Sequence, residues 1–481
     1  MRLCCRSLTR TRLAFALAGL TLALGTGVAR AETSAGYDKG FFIKSDNWEI
    51  HLGTRTQLQL STTDPDTFMF DSTLGKRTDT DRLNELNIRR FKFFGSGTIF
   101  NPAVKFKFQL DVERFKPGGG SAGNVRLEEA FVDLTEKPWT QLRLGQFKVP
   151  FGYEKMTSSG KLNLVDRSIV HDFFGINQEP GVSLYGQSFG KTFRYDVEVS
   201  TGVSDNKGYD TRNDADSNGR SDFRYMGRLT WEPLGSYTWE QGAVSYPDSP
   251  QLTLQLGGMF NRNTVPLAAD PFLPTGRILP FGRAVLGANS NTFPAATDTL
   301  LSNTVSSAQK PYDRKELEAV AAFKYLRFAI EGQYIRGKVD PELKWIQGKD
   351  PNVKDLNFDN DGLRVQGGFF LVPSKIEIAG RYAEVNRKAD ADFAADPTVR
   401  EKIEQYEWRA GLNWYFSKHD WKWQFDYGEI STEWTLNGDK LAVPVRSDFL
   451  GPPVGKDFDD KLIQNNARKD MEFRTQLQFQ F

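Results

Sequence analysis

The chain has 481 residues, of which 39% are hydrophobic, 26% charged and 13% aromatic, which allows two or three soluble domains or one large barrel. Its mean hydropathy is −0.50, and no apolar run after residue 28 approaches the ~20 residues of a spanning helix, which excludes a helical membrane bundle. The balance of 62 basic against 61 acidic residues excludes a polycationic nucleic-acid binder, and the aromatic content excludes a disordered chain.

Residues 1–31 have the three regions of a secretory signal peptide. The start is rich in arginine, Leu13–Leu24 is an apolar core, and Ala29-Arg30-Ala31 is a small-x-small cleavage site. A retained anchor is the alternative interpretation. Cleavage before Glu32 removes five arginines and no acid, so the 62 basic residues become 57 against 61 acidic ones. It also removes both cysteines, so we expect no disulfide and no thiolate chemistry in the mature chain.

From residue 48 onward, apolar and polar residues alternate with the period of two that is typical of strands. In the last segment, for example, Phe473, Leu477 and Phe479 lie at odd positions and share one face, whereas Arg474 lies on the other face. We predict sixteen strands, at residues 48–60, 86–97, 103–113, 125–135, 140–148, 179–188, 192–203, 222–233, 250–262, 314–326, 327–338, 361–372, 374–387, 403–416, 420–433 and 469–481.

The connections between these strands alternate between short and long. The short ones are residues 98–102, 136–139, 189–191, 326–327, 373 and 417–419. The long ones are residues 61–85, 149–178, 204–221, 263–313, 339–360, 388–402 and 434–468. Residues 114–124 and 234–249 do not fit this alternation of short and long connections. The pattern is typical of an outer-membrane barrel with short periplasmic turns and long external loops.

We therefore predict an all-β fold, a transmembrane antiparallel meander β-barrel over residues 48–481, after a short periplasmic segment at 32–47. Eighteen strands are the alternative to sixteen, because 263–313 could contain another hairpin. Strand 125–135 alternates poorly, which we interpret as packing against neighbouring subunits. The outward aromatic residues suit interfacial girdles, and they are Tyr185, Tyr225, Trp231, Tyr382, Trp408, Trp414, Trp421 and Trp423.

A barrel of sixteen strands is too wide for side chains to fill, so its polar face should line a water-filled channel. Charged residues at strand spacing are expected on that face. The bases predicted for the pore wall are Arg55, Lys105, Lys107, Arg143, Arg194, Arg224 and Arg228.

The third long connection, 149–178, contains Lys155, Lys161 and Arg167. We predict that it folds inward and narrows the pore, and an ordinary solvated surface loop is the alternative. In the second strand, alternation turns Arg90 and Lys92 toward the pore, whereas Arg89 points outward unless a bulge re-aims it. The alternative role for these bases is pairing with acids across the lumen. With Lys148 at the end of the fifth strand, the predicted constriction comprises Arg89, Arg90, Lys92, Lys148, Lys155, Lys161 and Arg167.

The three histidines, His51, His171 and His419, are far apart in the sequence and form no metal or triad pattern. We expect no cofactor, no bound metal and no enzymatic activity.

Several segments resemble the phosphate-selective porin O and P family of Gram-negative outer membranes. They are Gly36–Ile43, Arg89-Arg90, the Gly145–Glu154 stretch, Thr157–Ser159 and Asp166–Ser168, with a terminal phenylalanine. The resemblance implies a homotrimer of sixteen-stranded barrels with an inward third loop. It also implies an arginine ladder leading phosphate or polyphosphate to a basic constriction, to which Arg89, Arg90 and Lys155 would contribute.

The sequence thus predicts an outer-membrane porin that passes small solutes by diffusion and favours anions, with phosphate or polyphosphate implied by the resemblance. Its expected partners are small anions, outer-membrane lipid and two further copies of itself, but no nucleic acid. An adhesin or receptor acting through its long loops is the first alternative, and an outer-membrane barrel hydrolase is the second.

Overall fold

A computed structural model of the protein describes most of the chain after residue 32. The described residues are 33–38, 40–65, 68–71, 76–79, 82–112, 125–188, 190–201, 223–263, 312–341, 353–393, 399–436, 439–441 and 467–481. The proposed leader, 1–31, and most of connection 263–313 lie outside the described residues. Among the described residues, no helix has the length and apolarity needed to span a membrane.

The described part of the chain consists mainly of β-strands. They are β1 (Ser34–Tyr37), β2 (Phe41–Ser45), β3 (Trp48–Pro65), β4 (Phe68–Asp71), β5 (Lys76–Asp79), β6 (Leu83–Ile99), β7 (Asn101–Val112), β8 (Val125–Lys137), β9 (Thr140–Lys148), β10 (Gln178–Ser188), β11 (Phe193–Ser200), β12 (Arg224–Trp231), β13 (Gln251–Asn263), β14 (Tyr312–Tyr325), β15 (Phe328–Pro341), β16 (Val353–Val372), β17 (Ile376–Phe393), β18 (Val399–Ser417), β19 (Trp421–Leu436), β20 (Asp439–Leu441) and β21 (Ala467–Gln480).

Sixteen of these strands form a closed antiparallel barrel. They are β3, β6 to β19 and β21, and each pairs with its neighbour along the chain. The last strand closes the ring by pairing with β3, from Asp470 opposite Pro65 to Gln480 opposite Arg55. Because β13 pairs directly with β14 along its whole length, no further hairpin enters the wall there. The prediction of sixteen strands is confirmed, and the alternative of eighteen is wrong.

The short connections are tight turns. Five of them contain a non-glycine residue with φ between 45° and 70°, the left-handed conformation that lets two antiparallel strands join over a few residues. These residues are Phe100, Lys191, Leu326, Ser374 and Lys418. By contrast, β16, β17 and β18 extend several residues beyond the predicted strands, into the connections 339–360 and 388–402. The backbone ladder continues there without clean alternation, so periodicity could not reveal it.

The two faces of the wall have opposite chemistry. Large apolar side chains project outward, and Leu256 and Leu317 are 64% and 69% exposed. Charged and amide side chains project inward and are buried, including Arg224, Arg364 and Lys422. This inside-out distribution is what a lipid-facing barrel requires. Seven of the eight predicted girdle residues are exposed outside, and they are Tyr225, Trp231, Tyr382, Trp408, Trp414, Trp421 and Trp423.

Tyr185, the eighth, faces the lumen, so the prediction that it points outward is wrong. Its neighbours Val182 and Leu184 are exposed outside, and its own ring centre lies 5.1 Å from the guanidinium carbon of Arg143. Glycine and polar residues around it obscure the alternation, so the sequence pattern did not settle its direction.

Two β-bulges in the N-terminal third of the barrel turn charged side chains inward. On β6, Arg90 pairs with Gln57 and Ile88 with Leu58, which leaves Arg89 as the extra residue. On β8, Glu129 pairs with Gln109 and Leu127 with Leu110, which leaves Glu128 as the extra residue. A bulge lets two consecutive side chains point to one face. The second bulge accounts for the poor alternation of 125–135, which the sequence analysis had attributed to subunit packing.

Segment 149–177 contacts the inner surface of the barrel. It contains helix α1 (Tyr153–Met156), a 3₁₀ turn (Ser159–Lys161) and helix α2 (Ile169–Phe174). Its apolar side chains form a cluster with inward-facing residues of β12, β13, β15 and β17. The cluster comprises Val149, Phe151, Ile169, Val170, Phe173, Phe174 and Ile176 with Met226, Met259, Ile335, Ala383 and Val385. The segment therefore packs against inward-facing residues of these strands.

The connection between β12 and β13, residues 232–250, packs next to that segment. The sequence predicts it at 234–249, and it is too long for the short connections. The backbone N–H of Gln241 donates to the carbonyl oxygen of Lys161 at 2.9 Å. The backbone N–H of Asn163 donates to the side-chain oxygen of Gln241 at 3.2 Å. Glu240 accepts a 3.1 Å bond from His419, in the turn between β18 and β19. The two connections are thus in direct contact.

Candidate functional site

A cavity of about 1020 Å³ lies between segment 149–177 and the wall formed by β3 and β6 to β9. Three of its lining residues are acidic, namely Asp111, Glu128 and Glu129. Ten are basic, namely Arg55, Arg89, Arg90, Lys92, Lys107, Arg126, Arg143, Lys148, Lys155 and Arg167. The lining therefore has a strong excess of positive charge, although the whole chain is nearly neutral.

The three acids of the lining are engaged by bases of the same wall. Lys92 donates to Glu128 at 2.5 Å and lies 3.5 Å from Asp111. Arg126 lies 3.3 Å from Glu128, and Lys107 pairs with Glu129. Both glutamates are almost fully buried, at 4% and 2% exposure. The bulge of β8 brings this acidic pair to the lumen, where it compensates a similar number of bases.

Arg89 and Arg90 share one carboxylate, that of Asp166 in the segment 149–177. Arg89 donates to Asp166 from Nε at 3.0 Å and from Nη2 at 2.7 Å, and Arg90 donates at 2.8 Å. Burial raises the pKa of Asp166, but Arg90 and Arg89 lower it more, and it lies well below its usual value. The bulge at Arg89 turns its side chain inward, as the sequence required for a role in the lumen. The two arginines bind the segment to β6 through Asp166.

Arg143 is held against the wall. It makes a bidentate pair with Asp133, at 2.7 and 2.9 Å. Its guanidinium carbon lies 4.2 Å from the ring centre of Phe131 and 5.5 Å from that of Phe147. The two hydrogen bonds to Asp133 and the contacts with the two phenylalanine rings restrict the Arg143 side chain to one orientation.

Four bases of the cavity have only neutral partners. Lys148 donates to the carbonyl oxygen of Met156 at 3.4 Å, and Lys155 donates to the side-chain oxygen of Asn177 at 2.6 Å. Arg167 donates to the backbone of Glu154 and of Thr157, at 3.0 and 2.9 Å.

Arg55, the fourth, donates to Gln480 at 2.8 Å and to the hydroxyl of Ser159 at 3.1 Å. Within the described residues, none of these four forms an ion pair with a carboxylate. We call Arg55, Lys148, Lys155 and Arg167 the basic cluster.

The cations of this cluster raise each other's electrostatic energy. Burial, Arg167 and Lys148 together lower the pKa of Lys155 well below its usual value. Burial and Arg90 lower the pKa of Arg167 to about 10. The same surroundings depress the pKa of His171, on the adjacent helix α2, through burial, Arg167 and Lys155. A site of this kind is stabilised by an anion, which relieves the mutual repulsion.

Six of the seven residues predicted for the constriction line this cavity. The exception is Lys161, which is exposed and lies on the far side of the 3₁₀ turn, where its carbonyl oxygen meets Gln241. Sequence periodicity gives no direction for a loop residue, so the side of the segment on which Lys161 lies could not be predicted.

Of the predicted wall residues, Arg55, Lys107 and Arg143 line the cavity, whereas Lys105 is exposed and outside its lining. The other three lie on β11 and β12, each paired with a carboxylate. Arg194 lies 2.6 Å from Glu232, Arg228 lies 2.9 Å from Asp196, and Arg224 pairs with Glu179.

The sequence analysis missed several residues of this site. Arg126 alternates correctly with Val125 and Leu127 and could have been found by its spacing. Glu128-Glu129 break the alternation, and two consecutive acids in a strand are a signal for a bulge. Asp166 gave no such signal, because its role depends on how the segment crosses to β6. Among the described residues, no three His, Cys, Asp or Glu side chains are grouped to hold a metal ion.

The family model described as phosphate-selective porin O and P matches residues 67–264 and 265–438. The chain belongs to this family. It is an outer-membrane porin, a water-filled diffusion channel of a Gram-negative bacterium. No curated protein sequence matches the chain.

Solved structures similar to this porin include other outer-membrane channels. The anion-selective porin from Comamonas acidovorans is 12% identical, with 90% of this chain and 100% of that one covered and a TM-score of 0.49. OmpF of Salmonella typhi, in complex with daunomycin, is 11% identical, with 93% and 100% covered and a TM-score of 0.48. OprB of Pseudomonas putida is 11% identical, with 90% and 94% covered and a TM-score of 0.47.

Proposed function

We propose that this porin selects anions, that inorganic phosphate or polyphosphate is among them, and that segment 149–177 forms the constriction. The observation that carries the proposal is the basic cluster, four cations with neutral hydrogen-bond partners on a cavity whose three acids are already engaged. The family description, phosphate-selective porin O and P, supports the same solute class.

The mechanism is electrostatic and breaks no bond. Excess positive charge in a narrow water-filled space raises the local concentration of anions and excludes cations. Guanidinium and ammonium groups replace water molecules around the anion, and the neutral donors beside them, such as Ser158 and Gln109 in the lining, complete its coordination. Several weak contacts in series let the anion leave as readily as it enters.

In this proposal Arg89 and Arg90 have a different part from the one that the resemblance implies. Their charge is shared with Asp166, so they position the segment and contribute one net positive charge. The cluster itself supplies most of the uncompensated charge.

The test is the reversal potential of single channels in a planar bilayer across a KCl gradient. We expect the wild-type channel to prefer chloride, and replacement of Lys148, Lys155 and Arg167 by glutamine to lower the anion-to-cation permeability ratio about tenfold, equivalent to about 1.4 kcal/mol. Lys161→Gln removes a base from the same segment but outside the cavity, and should leave the ratio unchanged. An unaltered reversal potential in the triple variant contradicts the proposal.

The proposal includes a homotrimer whose interface is the outer face of β6 to β9. No tryptophan or tyrosine projects outward from these four described strands. Their outer face is built from Ile88, Phe93, Phe108, Val132 and Leu144 and similar residues. The aromatic girdle lies on β12, β17, β18 and β19 instead, the part of the wall suited to lipid contact. Light scattering of the detergent-solubilised protein should give three chains per particle, and a monomer contradicts this part.

A further inference from the structure

Apolar side chains interrupt the polar lining of the cavity. Phe94, Phe131 and Met156 line it together with the bases and amides. Phe94 and Met156 are only half-buried, although their neighbours Lys92 and Thr157 are buried. An inorganic anion gains nothing from an apolar wall, because its hydration shell cannot be replaced there.

Phe94 lies directly beside the basic cluster. It follows Lys92 by two positions on the inner face of β6, and the guanidinium carbon of Arg55 lies 6.0 Å from its ring centre. The ring rests on Gly53, where a Cβ atom would lie 2.6 Å from a ring carbon. The glycine therefore provides the space in which this ring sits inside the channel.

Met156 approaches the same place from the segment 149–177. Its carbonyl oxygen accepts the bond from Lys148, and Ser159, three residues further on, accepts a bond from Arg55. Met156 therefore lines the cavity beside backbone and hydroxyl groups that bind Lys148 and Arg55. Arg143 lies 4.2 Å from the ring centre of Phe131, closer than the 6.0 Å between Arg55 and the ring centre of Phe94, so Phe94 and Met156 are the less covered apolar residues of the lining.

From this combination we infer that the cavity takes organic anions, with a phosphate or carboxylate group on the basic cluster and an apolar or aromatic body against Phe94 and Met156. The inference rests on the proposed anion selectivity and names the solute class that the same cavity prefers. A ring stacked on Phe94 and in contact with a methionine gains free energy beyond that of its charged group.

The experiment compares anions that share a head group and differ in their body. Phenyl phosphate, methyl phosphate and inorganic phosphate are each titrated onto single channels in KCl at pH 8, where all three are mainly dianions. We expect phenyl phosphate to halve the chloride current at a concentration about two- to tenfold lower than methyl phosphate does. Phe94→Ala should bring that ratio close to one while leaving block by methyl phosphate unchanged.

A phenylalanine on the outer face provides a matched control. Phe369 on β16 is exposed outside the barrel and lies outside the proposed trimer interface, so Phe369→Ala removes an identical side chain from the opposite face and should leave the ratio intact. If Phe94→Ala does not assemble, Phe94→Leu, which keeps bulk but not the aromatic face, should reduce the ratio in part.

The possible failures are distinguishable. If none of the three phosphates blocks and the channel shows no anion preference, the proposed function itself is wrong. If methyl and inorganic phosphate block but phenyl phosphate has no advantage in the wild-type channel, the preference for organic anions is wrong and the anion channel remains. A phenyl advantage that persists in Phe94→Ala and Phe94→Leu removes Phe94 from the site.

Discussion

Arg89 donates both its Nε and its Nη2 to the same carboxylate oxygen of Asp166, at 3.0 and 2.7 Å. The pair joins the barrel wall to the segment inside it, and it exists because Arg89 is the extra residue of a bulge. Without that bulge the guanidinium would point into lipid, and Asp166 would keep only Arg90.

Deletion of Arg89 should be tolerated by the barrel. A bulge residue has no partner opposite it, so its removal restores a regular ladder and leaves Arg90 and Lys92 inside and Phe91 outside. Deletion of Lys92 should instead abolish assembly, because a one-residue slip turns every following side chain to the wrong face. Circular dichroism and the heat-dependent mobility of the refolded protein on gels measure both. Equal assembly of the two deletions would contradict the bulge.

Asp166→Asn should loosen the segment without unfolding the barrel. Removing one partner of a buried ion pair costs about 3–5 kcal/mol, and here it leaves two guanidinium groups without a carboxylate. We expect faster hydrogen exchange across 149–177 and no change in the strands. Asp172→Asn, which removes an acid of the same segment and leaves the bonds of Asp166 to Arg89 and Arg90 in place, serves as the control. Equal protection in Asp166→Asn and the wild type would show that the pair does not hold the segment.

Anion preference should weaken at alkaline pH earlier than an ordinary lysine would cause. Burial, Arg167 and Lys148 hold the pKa of Lys155 well below its usual 10.5, so Lys155 loses its charge as pH rises through that lowered pKa, before an exposed lysine does. The reversal potential measured from pH 7 to 10 should therefore drift toward cations. In Lys155→Arg, whose guanidinium stays protonated, the drift should shrink. A drift of the same size in this variant would assign the effect to another group.

Acid should loosen the contact between the two turns at Glu240 and His419. Burial outweighs the hydrogen bond that His419 donates to Glu240 and lowers the pKa of His419 to about 4 from 6.5. His419 is therefore neutral in the folded protein. Its protonation favours the unfolded state, so the contact loses stability as pH falls from about 6.5 to about 4.

Glu240 adds a second loss at lower pH. Burial raises its pKa, but His419 and Lys324 bring it down to about 2, so its stabilisation is present above 4.5 and is lost as pH falls toward 2. Hydrogen exchange of residues 232–250 at pH 7, 6 and 5 tests the first loss. His419→Gln should remove most of the dependence in that range, and an unchanged dependence would exclude His419 as its cause.

The strands and their two faces could be predicted from the sequence, because alternation is a local property. Phe473 and Arg474 point to opposite sides whatever lies next to them, and only the lipid environment is needed to say which side is which. The number of strands and most of the cavity-lining bases followed from that rule and from the length of the connections.

Which of those bases remain uncompensated was decided by the tertiary structure alone. Lys92 meets Glu128 because neighbouring strands set their register, Arg89 meets Asp166 because segment 149–177 contacts β6, and Lys155 meets only an amide. Charge compensation depends on distances between residues far apart in the chain, and Coulomb energy falls with distance through space, not with separation in sequence. The sequence therefore determined where charges could stand, and the folded barrel determined which of them an anion can use.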